Sequence, residues 1–503
     1  MLALCPVAER RRAIIDIGSN SIRLVVYPVE RRVPATLLNE KVSARLGKTL
    51  QDDNRLPAKA IDVALRGLAR FRSIVEAIGV ESLTVVATAA VRDASNGPEF
   101  LEMVRGIGLL PTLLSGSEEA AASARGVMCA FPDAEGVVAD LGGGSLELVQ
   151  VASGEVGHGV TLPLGTLRVA KMREKNTARA LQTMRAMIEA QSPRGLAEVR
   201  PLYVVGGSWR ALAQFAMNDV RWPIRNQHGF VLEPRQIAHL VSVLTHTPVA
   251  SIRNAGVSSA RAGSIADAAI VLAALVRHLR PSRVIVSSFG LREGLVFADM
   301  PAEIRRKDPL IANLEDQLGG AAKGSIYGEP LHRWIGPVFA GESAGESRLR
   351  LAASWLGLVA RQPEKPLRRA RALEVALGEP MIGADACDRG RLAAALLAFV
   401  GEKDVPSELG RLCSAAQLER AARLGCAMRL AEKLSAGMGS LLEASTIRLD
   451  QGKLELVLAD PALYGEAVEQ EHAALAQAWG VTPAVSFPDG AAQPSRDAIF
   501  LPA

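Results

Sequence analysis

The chain has 503 residues, of which 49% are hydrophobic and 22% charged, with a net charge of +5. This length is too great for one hydrophobic core and predicts two to four domains. No apolar run approaches the 18 or so residues of a membrane helix. The first twelve residues lack the ordered regions of a signal peptide. A cytoplasmic protein without membrane insertion is therefore expected.

The cysteine and aromatic content argues against disulfide-rich, zinc-binding and nucleic-acid-binding proteins. The five cysteines are odd in number and have no C-x-x-C spacing, so neither a disulfide framework nor a zinc site is indicated. Aromatic residues make up only 4%, which disfavours base stacking, and no nucleic-acid partner is expected. The mild positive charge suits an anionic ligand without identifying it.

The first strong signal is a strand–loop–strand unit over residues 13–27, whose first strand leads into Asp16 and whose loop is Gly18-Ser19-Asn20-Ser21. A turn of glycines and small hydroxyls lets backbone N–H groups face one small anion. A carboxylate at the strand end suits Mg²⁺. The following pattern predicts a helix after Pro57, a strand over 83–87, a helix that begins near 96–98, a short strand at 113–114, and a helix that begins within 115–119.

The same unit returns with Asp140 in the place of Asp16, followed by Leu141-Gly142-Gly143-Gly144-Ser145 and a second strand over 146–151. A strand is predicted at 202–205, followed by the loop Gly206-Gly207-Ser208. Another is predicted at 284–286. A helix follows it, and Arg292 and Glu293 at the start of this helix are expected to be a structural pair. Alternating strands and helices indicate mixed α/β layers with ligands at the strand ends. Two copies of one lobe with a cleft between them are the simplest arrangement.

The strand signal fades after about residue 308, and residues rich in Ala, Leu and Arg predict helices to about 440. Strands at 446–449 and 454–458, a helix over about 462–479 and a strand at 484–487 predict a small ββαβ tail. The predicted domains are 1–125, 126–307, 308–440 and 441–503. Basic residues of the helical part suit either a channel for a polyanion or a solvated helix face: Arg348, Arg350, Arg361, Lys365, Arg368, Arg369 and Arg371.

Six ordered motifs between residues 13 and 297 resemble the exopolyphosphatase / guanosine pentaphosphate phosphohydrolase (Ppx/GppA) family. They are Asp16-Ile-Gly-Ser-Asn-Ser-Ile-Arg-Leu-Val, Ala87-Thr-Ala-Ala-Val-Arg92, Leu114-Ser-Gly-Ser-Glu-Glu119-Ala, Asp140-Leu-Gly-Gly-Gly-Ser-Leu-Glu147, Val205-Gly-Gly-Ser and Phe289-Gly-Leu-Arg-Glu-Gly294. The whole layout is most similar to long alphaproteobacterial exopolyphosphatases.

The resemblance implies an α/β fold with duplicated actin-like/acetate-and-sugar-kinase (ribonuclease H-like) lobes and an interlobe cleft. An all-helical HD-like domain and a small α+β C-terminal cap would follow. None of the seven histidines stands in a His-Asp dipeptide, so a working second metal centre is not expected in the HD-like part. The family also implies a homodimer.

By the same resemblance, Asp140, Glu147 and the backbone of Gly142 hold Mg²⁺ or another divalent cation. The alternative for Glu147 is a solvent-facing position on its strand. Asp16 either contacts the metal through water or caps its hairpin.

Glu119 is the implied general base, which orients and deprotonates the attacking water, and Glu118 is the alternative. A position near a helix start should lower the pKa of Glu119. Burial or a second anion would raise it.

Residues implied to bind substrate phosphate are Asn20, Arg92, Gly142, Gly143, Gly144, Ser145, Gly207 and Ser208. Arg92 could instead form a surface salt bridge, and the glycines of the second loop could serve turn geometry alone. Gly207 and Ser208, with Gly206, stand where related kinases hold adenosine and could simply close the floor of the cleft.

The predicted function is Mg²⁺-dependent release of terminal orthophosphate from inorganic polyphosphate. One alternative is hydrolysis of guanosine pentaphosphate (pppGpp) to the tetraphosphate (ppGpp). Another is a regulator that binds polyphosphate or these nucleotides without turnover, although a sensor would not need Glu119, Asp140 and Glu147 together. An ATP-using kinase is disfavoured because no sugar-binding region is evident.

Overall fold

The computed structural model describes residues 10–48, 50–175, 177–191, 200–318 and 321–487. Cys5 and the part of the predicted 441–503 domain beyond 487 lie outside these residues. The described chain separates into two compact units, one within Met1–Trp222 and Asn226–Pro309, the other within Pro223–Arg225 and Leu310–Ala503. No helix in the described ranges is long and apolar enough to cross a membrane.

The first unit contains two mixed sheets built on one plan. The strands of the first are β1 (Arg11–Ile17), β2 (Ile22–Pro28), β3 (Leu38–Val42), β4 (Ser82–Ala87) and β5 (Pro111–Leu113). Those of the second are β6 (Gly136–Leu141), β7 (Leu146–Ala152), β8 (Glu155–Leu162), β9 (Leu202–Val205), β10 (Val231–Leu232) and β11 (Val284–Val286).

The strand orders β3-β2-β1-β4-β5 and β10-β11-β9-β6-β7-β8 are related by duplication. In each sheet an antiparallel three-stranded meander is extended by two parallel strands from the first strand of its hairpin, and in the second sheet β10 adds an antiparallel edge strand. The predicted duplicated α/β lobes are therefore present. Strands β3 and β8 complete the meanders but were not expected from the sequence.

Helices cover both sheets. Those of the first lobe are α1 (Leu50–Asp53), α2 (Ala58–Ile78), α3 (Ala89–Asp93), α4 (Gly97–Gly106) and α5 (Gly116–Ala130). The second lobe carries α6 (Thr166–Lys175), α7 (Thr177–Gln191), α8 (Gly207–Asp219), α9 (Pro234–His246), α10 (Val249–Asn254), α11 (Ser259–Ala262), α12 (Ile265–Leu279), α13 (Leu291–Ala298) and α14 (Ala302–Arg305).

The two hairpins place charged residues in matching positions. In β1–β2 the register sets Asp16 opposite Arg23, and in β6–β7 it sets Asp140 opposite Glu147. Opposite residues of an antiparallel pair lie on the same face of the sheet. Each loop is closed by the same backbone bond, from Gly18 N–H to Ser21 O (3.2 Å) and from Gly142 N–H to Ser145 O (3.0 Å).

Helices α5 and α13 cross over between the lobes. Helix α5 packs apolar residues against the second sheet, whereas α13 packs Val296 against the first. The two helices meet at glycines: a Cβ built on Gly294 would lie 1.7 Å from the Ala122 carbonyl oxygen, and one on Gly126 would lie 2.2 Å from the Gly290 carbonyl oxygen. This close contact fixes both helices, which carry Glu119 and Arg292, relative to each other.

The second unit is largely helical up to residue 443. It contains most of α15 (Pro309–Gln317), then α16 (Ala321–Ile335), α17 (Ala344–Ala360), α18 (Lys365–Leu373) with a π-helical turn at Glu374–Gly378, α19 (Ala386–Phe399), α20 (Ala415–Ser435) and α21 (Gly439–Glu443). Short 3₁₀ turns occupy Gly336–Phe339 and Ser407–Arg411. Its likeness to HD-type phosphohydrolases stays a prediction.

Six of the seven predicted basic residues of this helical part have a partner within it, whereas Lys365 is exposed. Arg350 and Arg361 pair with Glu342 and Glu432, while Arg369 and Arg371 pair with Glu402 (2.7 Å) and Glu379 (2.8 Å). Arg348 and Arg368 donate to backbone carbonyls. Guanidinium groups paired in this way are less available to a polyanion, so the structure favours the helix-face interpretation over the channel.

The described C-terminal residues form the sheet β12-β13-β14, with β12 (Ser445–Asp450), β13 (Lys453–Leu458) and β14 (Thr482–Ser486), and helix α22 (Glu466–Trp479). The helix begins four residues later than the predicted Ala462, because a 3₁₀ turn over Pro461–Leu463 precedes it. Asp460 caps that turn by accepting the Ala462 amide at 2.9 Å.

Candidate active site

The two glycine-serine loops of the first unit face one another across a cavity of about 160 Å³. A Cβ built on Gly143 would lie 3.1 Å from Cβ of Ser19, and one on Gly144 would lie 3.1 Å from its Oγ. The hairpin tips therefore lie close together, and a side chain at Gly143 or Gly144 would be in tight contact with Ser19. Residues of both loops line the same small volume.

Most of the residues predicted for the site line this cavity: Asn20, Glu119, Asp140, Gly142, Gly143, Gly144, Ser145 and Gly207. Arg92, Glu147 and Ser208 are not among the lining residues. The hydroxyl of Ser208 is buried and accepts a hydrogen bond from Nη1 of Arg261 at 3.1 Å. A structural role for Ser208 in the cleft floor is therefore favoured over phosphate binding, while Gly207 lines the cavity.

Glu147 is buried rather than solvent-facing, with only 2% of its surface exposed. Its Oε1 has no hydrogen-bond partner among the described residues. Burial, followed by repulsion from Glu119 and Asp140, raises its pKa well above the ordinary value. The pKa of Asp140 is raised by burial and by Asp16, although the Ser123 hydroxyl donates a hydrogen bond to it. The carboxylates thus lie close enough to destabilise one another's charge.

The structure separates the roles of the two adjacent glutamates. Glu118 forms the capping box of α5 with Ser115, and these hydrogen bonds lower its pKa. Glu119 is buried, with 9% of its surface exposed. Burial raises its pKa from 4.5 to about 7, against the opposing effect of Arg92. Desolvation therefore outweighs the helix-start effect that the sequence suggested, and only Glu119 faces the cavity.

Arg92 lies at the end of α3, behind Glu119. Its Nη1 donates to Oε2 of Glu119 at 3.1 Å and to the Leu114 carbonyl at 2.8 Å. The sequence suggested either a fork on two phosphate oxygens or a surface salt bridge. The structure instead shows a partly buried ion pair with the candidate base, and direct phosphate binding by Arg92 stays a prediction.

Four arginines that the sequence analysis did not assign to the site also line the cavity: Arg23, Arg210, Arg261 and Arg292. Three of them also line an adjoining cavity of about 250 Å³. The pKa of Arg210 is lowered by burial and then by Arg292, and that of Arg261 by burial and then by Arg23. Clustered, mutually repelling cations of this kind suit a polyanionic ligand. Arg23 and Arg292 belong to two of the quoted motifs, whereas Arg210 and Arg261 belong to none.

The sequence predicted a structural role for Arg292 and Glu293 at the start of α13, and Glu293 has such a role. Glu293 accepts the Gly290 amide at 2.9 Å and the Tyr27 hydroxyl at 2.6 Å, so it caps α13 and fixes it to the first lobe. Nε of Arg292 lies 3.9 Å from Oδ2 of Asp16. Both residues line the cavity, and Arg292 links its wall to the first hairpin.

The oxygen atoms around Asp140 fit a divalent cation of the Mg²⁺ type. The described residues contain no cluster of three or more His, Cys, Asp or Glu side chains arranged to hold a metal on their own. Nevertheless, Oε1 of Glu147 is buried without a hydrogen-bond partner, and burial with repulsion from Glu119 and Asp140 raises the pKa of Glu147, so that a cation nearby would stabilise its charged form. The Gly142 carbonyl already accepts the Thr166 amide at 3.1 Å but retains a second lone pair.

Because the pKa of Glu119 is raised in the folded state, the free energy of unfolding should depend on pH. Since the folded state binds this proton more tightly than the unfolded chain, wild-type stability should fall as pH rises from 4.5 to about 7. Glu119→Gln removes this effect and should be more stable above pH 7 by on the order of 3 kcal/mol. Urea unfolding of both chains between pH 5 and 8 measures the difference. Parallel stability curves would show that Glu119 does not titrate in this range.

Two glycine loops, buried carboxylates and clustered arginines around one small cavity are the equipment of an enzyme that acts on phosphate groups. A sequence model of the Ppx/GppA phosphatase family matches residues 25–303. The chain therefore belongs to the Ppx/GppA phosphatase family and is a hydrolase, as the motifs predicted.

Similar proteins match just over half of the chain. Exopolyphosphatase 1 of Mycobacterium leprae is 27% identical over 308 residues, which are 58% of this chain and 90% of the relative. Two structures of the Aquifex aeolicus Ppx/GppA enzyme are 27% and 26% identical, with TM-scores of 0.50 and 0.51. Each covers 58% of this chain, and 99% and 97% of those chains are matched.

Proposed function

We propose that this chain is an exopolyphosphatase that releases terminal orthophosphate from inorganic polyphosphate with the help of Mg²⁺ or another divalent cation. One observation carries the proposal: Glu119, with a pKa of about 7, faces a cavity that also presents two glycine-serine loops and clustered arginines. The name of the Mycobacterium leprae relative supports the same substrate.

The loops suit the terminal phosphate. Backbone N–H groups of Gly143 and Gly144 and the side chains of Asn20 and Ser145 would surround its oxygens from the two lobes, while the Gly142 N–H closes the loop by donating to the Ser145 carbonyl. Arg23, Arg210 and Arg261 continue the positive surface into the adjoining cavity, where the next phosphates of the chain would lie. The scissile anhydride would then lie between the loops and the arginines.

Glu119 would accept the proton of the attacking water. A carboxylate with a pKa near the working pH is both ionised in a useful fraction and basic enough for this task. Its bond from Arg92 holds the carboxylate in one orientation. Water adds to the terminal phosphorus, the proton passes to Glu119, and the shortened chain departs with the bridging oxygen.

Asp140, Glu147 and the Gly142 carbonyl would hold the divalent cation. When bound, the cation offsets charge on the phosphate oxygens. It would also reduce the repulsion that raises the pKa of Glu147.

The cavity walls favour an inorganic chain over a nucleotide. The described residues that line the two cavities include no Phe, Tyr or Trp on which a guanine could stack. We further propose that the chain has the four predicted domains, including the HD-like domain and the C-terminal cap. It would act in the cytoplasm as a homodimer.

Orthophosphate release from long polyphosphate and from guanosine pentaphosphate, measured side by side with Mg²⁺ or EDTA, tests the function. We expect Mg²⁺-dependent release that is faster with polyphosphate. Faster release from guanosine pentaphosphate would reverse the substrate assignment, and no release from either would remove it.

Asp140→Asn tests the metal assignment. Replacing a charged ligand by an amide should weaken the activating effect of Mg²⁺, so that half-maximal activity requires at least about tenfold more metal. A Mg²⁺ titration of activity for both chains measures this. An unchanged titration curve would exclude Asp140 from the ion's ligands.

A further inference from the structure

A chain of ion pairs joins the two lobes beside the cavity and ends at Glu119. Arg168 of α6, in the second lobe, donates from Nη2 to Oδ2 of Asp93, the last residue of α3 in the first lobe, at 2.7 Å. Arg92, the neighbour of Asp93, donates from Nη1 to Glu119 at 3.1 Å. Arg168 thus reaches Glu119 through two intermediate side chains.

Asp93 lies between two arginines. Its Oδ2 is at hydrogen-bond distance from Arg168, whereas its Oδ1 lies 3.8 Å from Nε of Arg92. The side chains of Arg92, Asp93 and Arg168 are 22%, 34% and 27% exposed, so water screens these charges only in part. Without Arg168, the nearest cation for Asp93 would be Arg92, which could then turn toward it and away from Glu119.

The position of Arg168 depends on the second glycine loop. At the start of α6, the amides of Thr166 and Leu167 donate to the carbonyls of Gly142 (3.1 Å) and Gly143 (2.9 Å). Arg168 follows directly and bonds back to the Gly165 carbonyl at 2.9 Å. A movement of the loop would therefore move Arg168 with it.

We propose that Arg168 is a positioning residue, which holds Asp93 and thereby leaves Arg92 free to orient Glu119. The ion-pair chain connects the phosphate-facing loop of one lobe to the candidate base of the other. The inference deepens the proposed function and rests on it for the role of Glu119.

Four chains test the inference: wild type, Arg168→Gln, Asp93→Asn and the double variant. Each is assayed with whichever of polyphosphate or guanosine pentaphosphate the wild type hydrolyses. Arg168→Gln should lower kcat about tenfold, the effect of losing one charged hydrogen bond, with KM within about twofold. Asp93→Asn removes the competing charge, so alone it should stay within about threefold of wild-type kcat.

The double variant shows whether Arg168 positions Arg92 by holding Asp93, or whether the Arg168–Asp93 ion pair merely links the two lobes. If Arg168 acts by holding Asp93, adding Asp93→Asn to Arg168→Gln should restore kcat to within about threefold of wild type. Equal losses in both single variants without restoration in the double variant would overturn the proposal, as would an unaffected Arg168→Gln. Arg70→Gln is the matched control, since it breaks a 2.6 Å pair with Glu40 that is exposed and has no part in the ion-pair chain.

A crystal structure of Arg168→Gln provides a readout without substrate. Arg92 should turn toward Asp93, and its distance to Glu119 should exceed the present 3.1 Å. An unmoved Arg92 would overturn the proposal. A wild type that hydrolyses neither substrate would contradict the proposed function, while this structure would still decide the role of Arg168.

Discussion

Glu119→Gln is expected to lower kcat for orthophosphate release by about 10²-fold or more, the usual contribution of a general base. The amide has nearly the same shape and can still accept the bond from Arg92, but it cannot take a proton from water. Binding of polyphosphate should be largely retained, because the loops and arginines are unchanged. The rates and affinities of both chains, measured with Mg²⁺ present, provide the comparison.

Glu118→Gln is the matched control. This neighbour is exposed and engaged in the capping box of α5, so the change should cost about 1 kcal/mol or less of stability and leave kcat within about threefold. Wild-type turnover by Glu119→Gln would exclude Glu119 as the base. A large loss in Glu118→Gln alone would transfer that role to its neighbour.

Gly294→Ala should destabilise the first unit by about 3 kcal/mol or more, at the upper end of overpacking effects. Its Cβ would lie 1.7 Å from the Ala122 carbonyl oxygen, and backbone cannot move aside as a flexible side chain can. The helices α5 and α13 would have to separate, which would also displace Glu119 and Arg292. Thermal unfolding of both chains measures the effect.

Gly106→Ala is the control for this helix-contact test. Gly106 ends α4 and has no atom within 4 Å of the position of an added Cβ, so alanine should be neutral or stabilise by up to about 1 kcal/mol. A Gly294→Ala chain that unfolds at the wild-type temperature would show that the two helices can separate at little cost. Failure of Gly294→Ala alone to fold would agree with the close contact.

The sequence predicted the elements that have strong local signals. The hairpin strands β1 and β6 are apolar runs that end in glycine-serine loops, and both are found where expected. Strands β3 and β8 were missed because they lie at the open side of the meanders and carry mixed polar residues, so that neither shows a clear apolar run. Their positions depend on pairing with β2 and β7 rather than on their own composition.

The same reasoning explains what was and was not predicted at the site. Asp140 and Glu119 belong to recognisable motifs, and both line the cavity. Arg210 and Arg261 lie within helices without a motif of their own, and only the packing of α8 and α11 brings them to the wall. The pKa of Glu119 depends on burial, which the helix-start pattern could not show. Local sequence thus indicates which groups are present, while the tertiary fold determines their environment.

Hydrolysis of polyphosphate in ¹⁸O-labelled water is the most direct test of the central claim, that water activated beside Glu119 attacks the phosphate held between the two loops. Mass spectrometry of early products should find one labelled oxygen in each released orthophosphate and none in the remaining chain. Unlabelled orthophosphate with the label at the new chain end would mean attack on the penultimate phosphorus. That result would contradict the proposed placement of substrate and base.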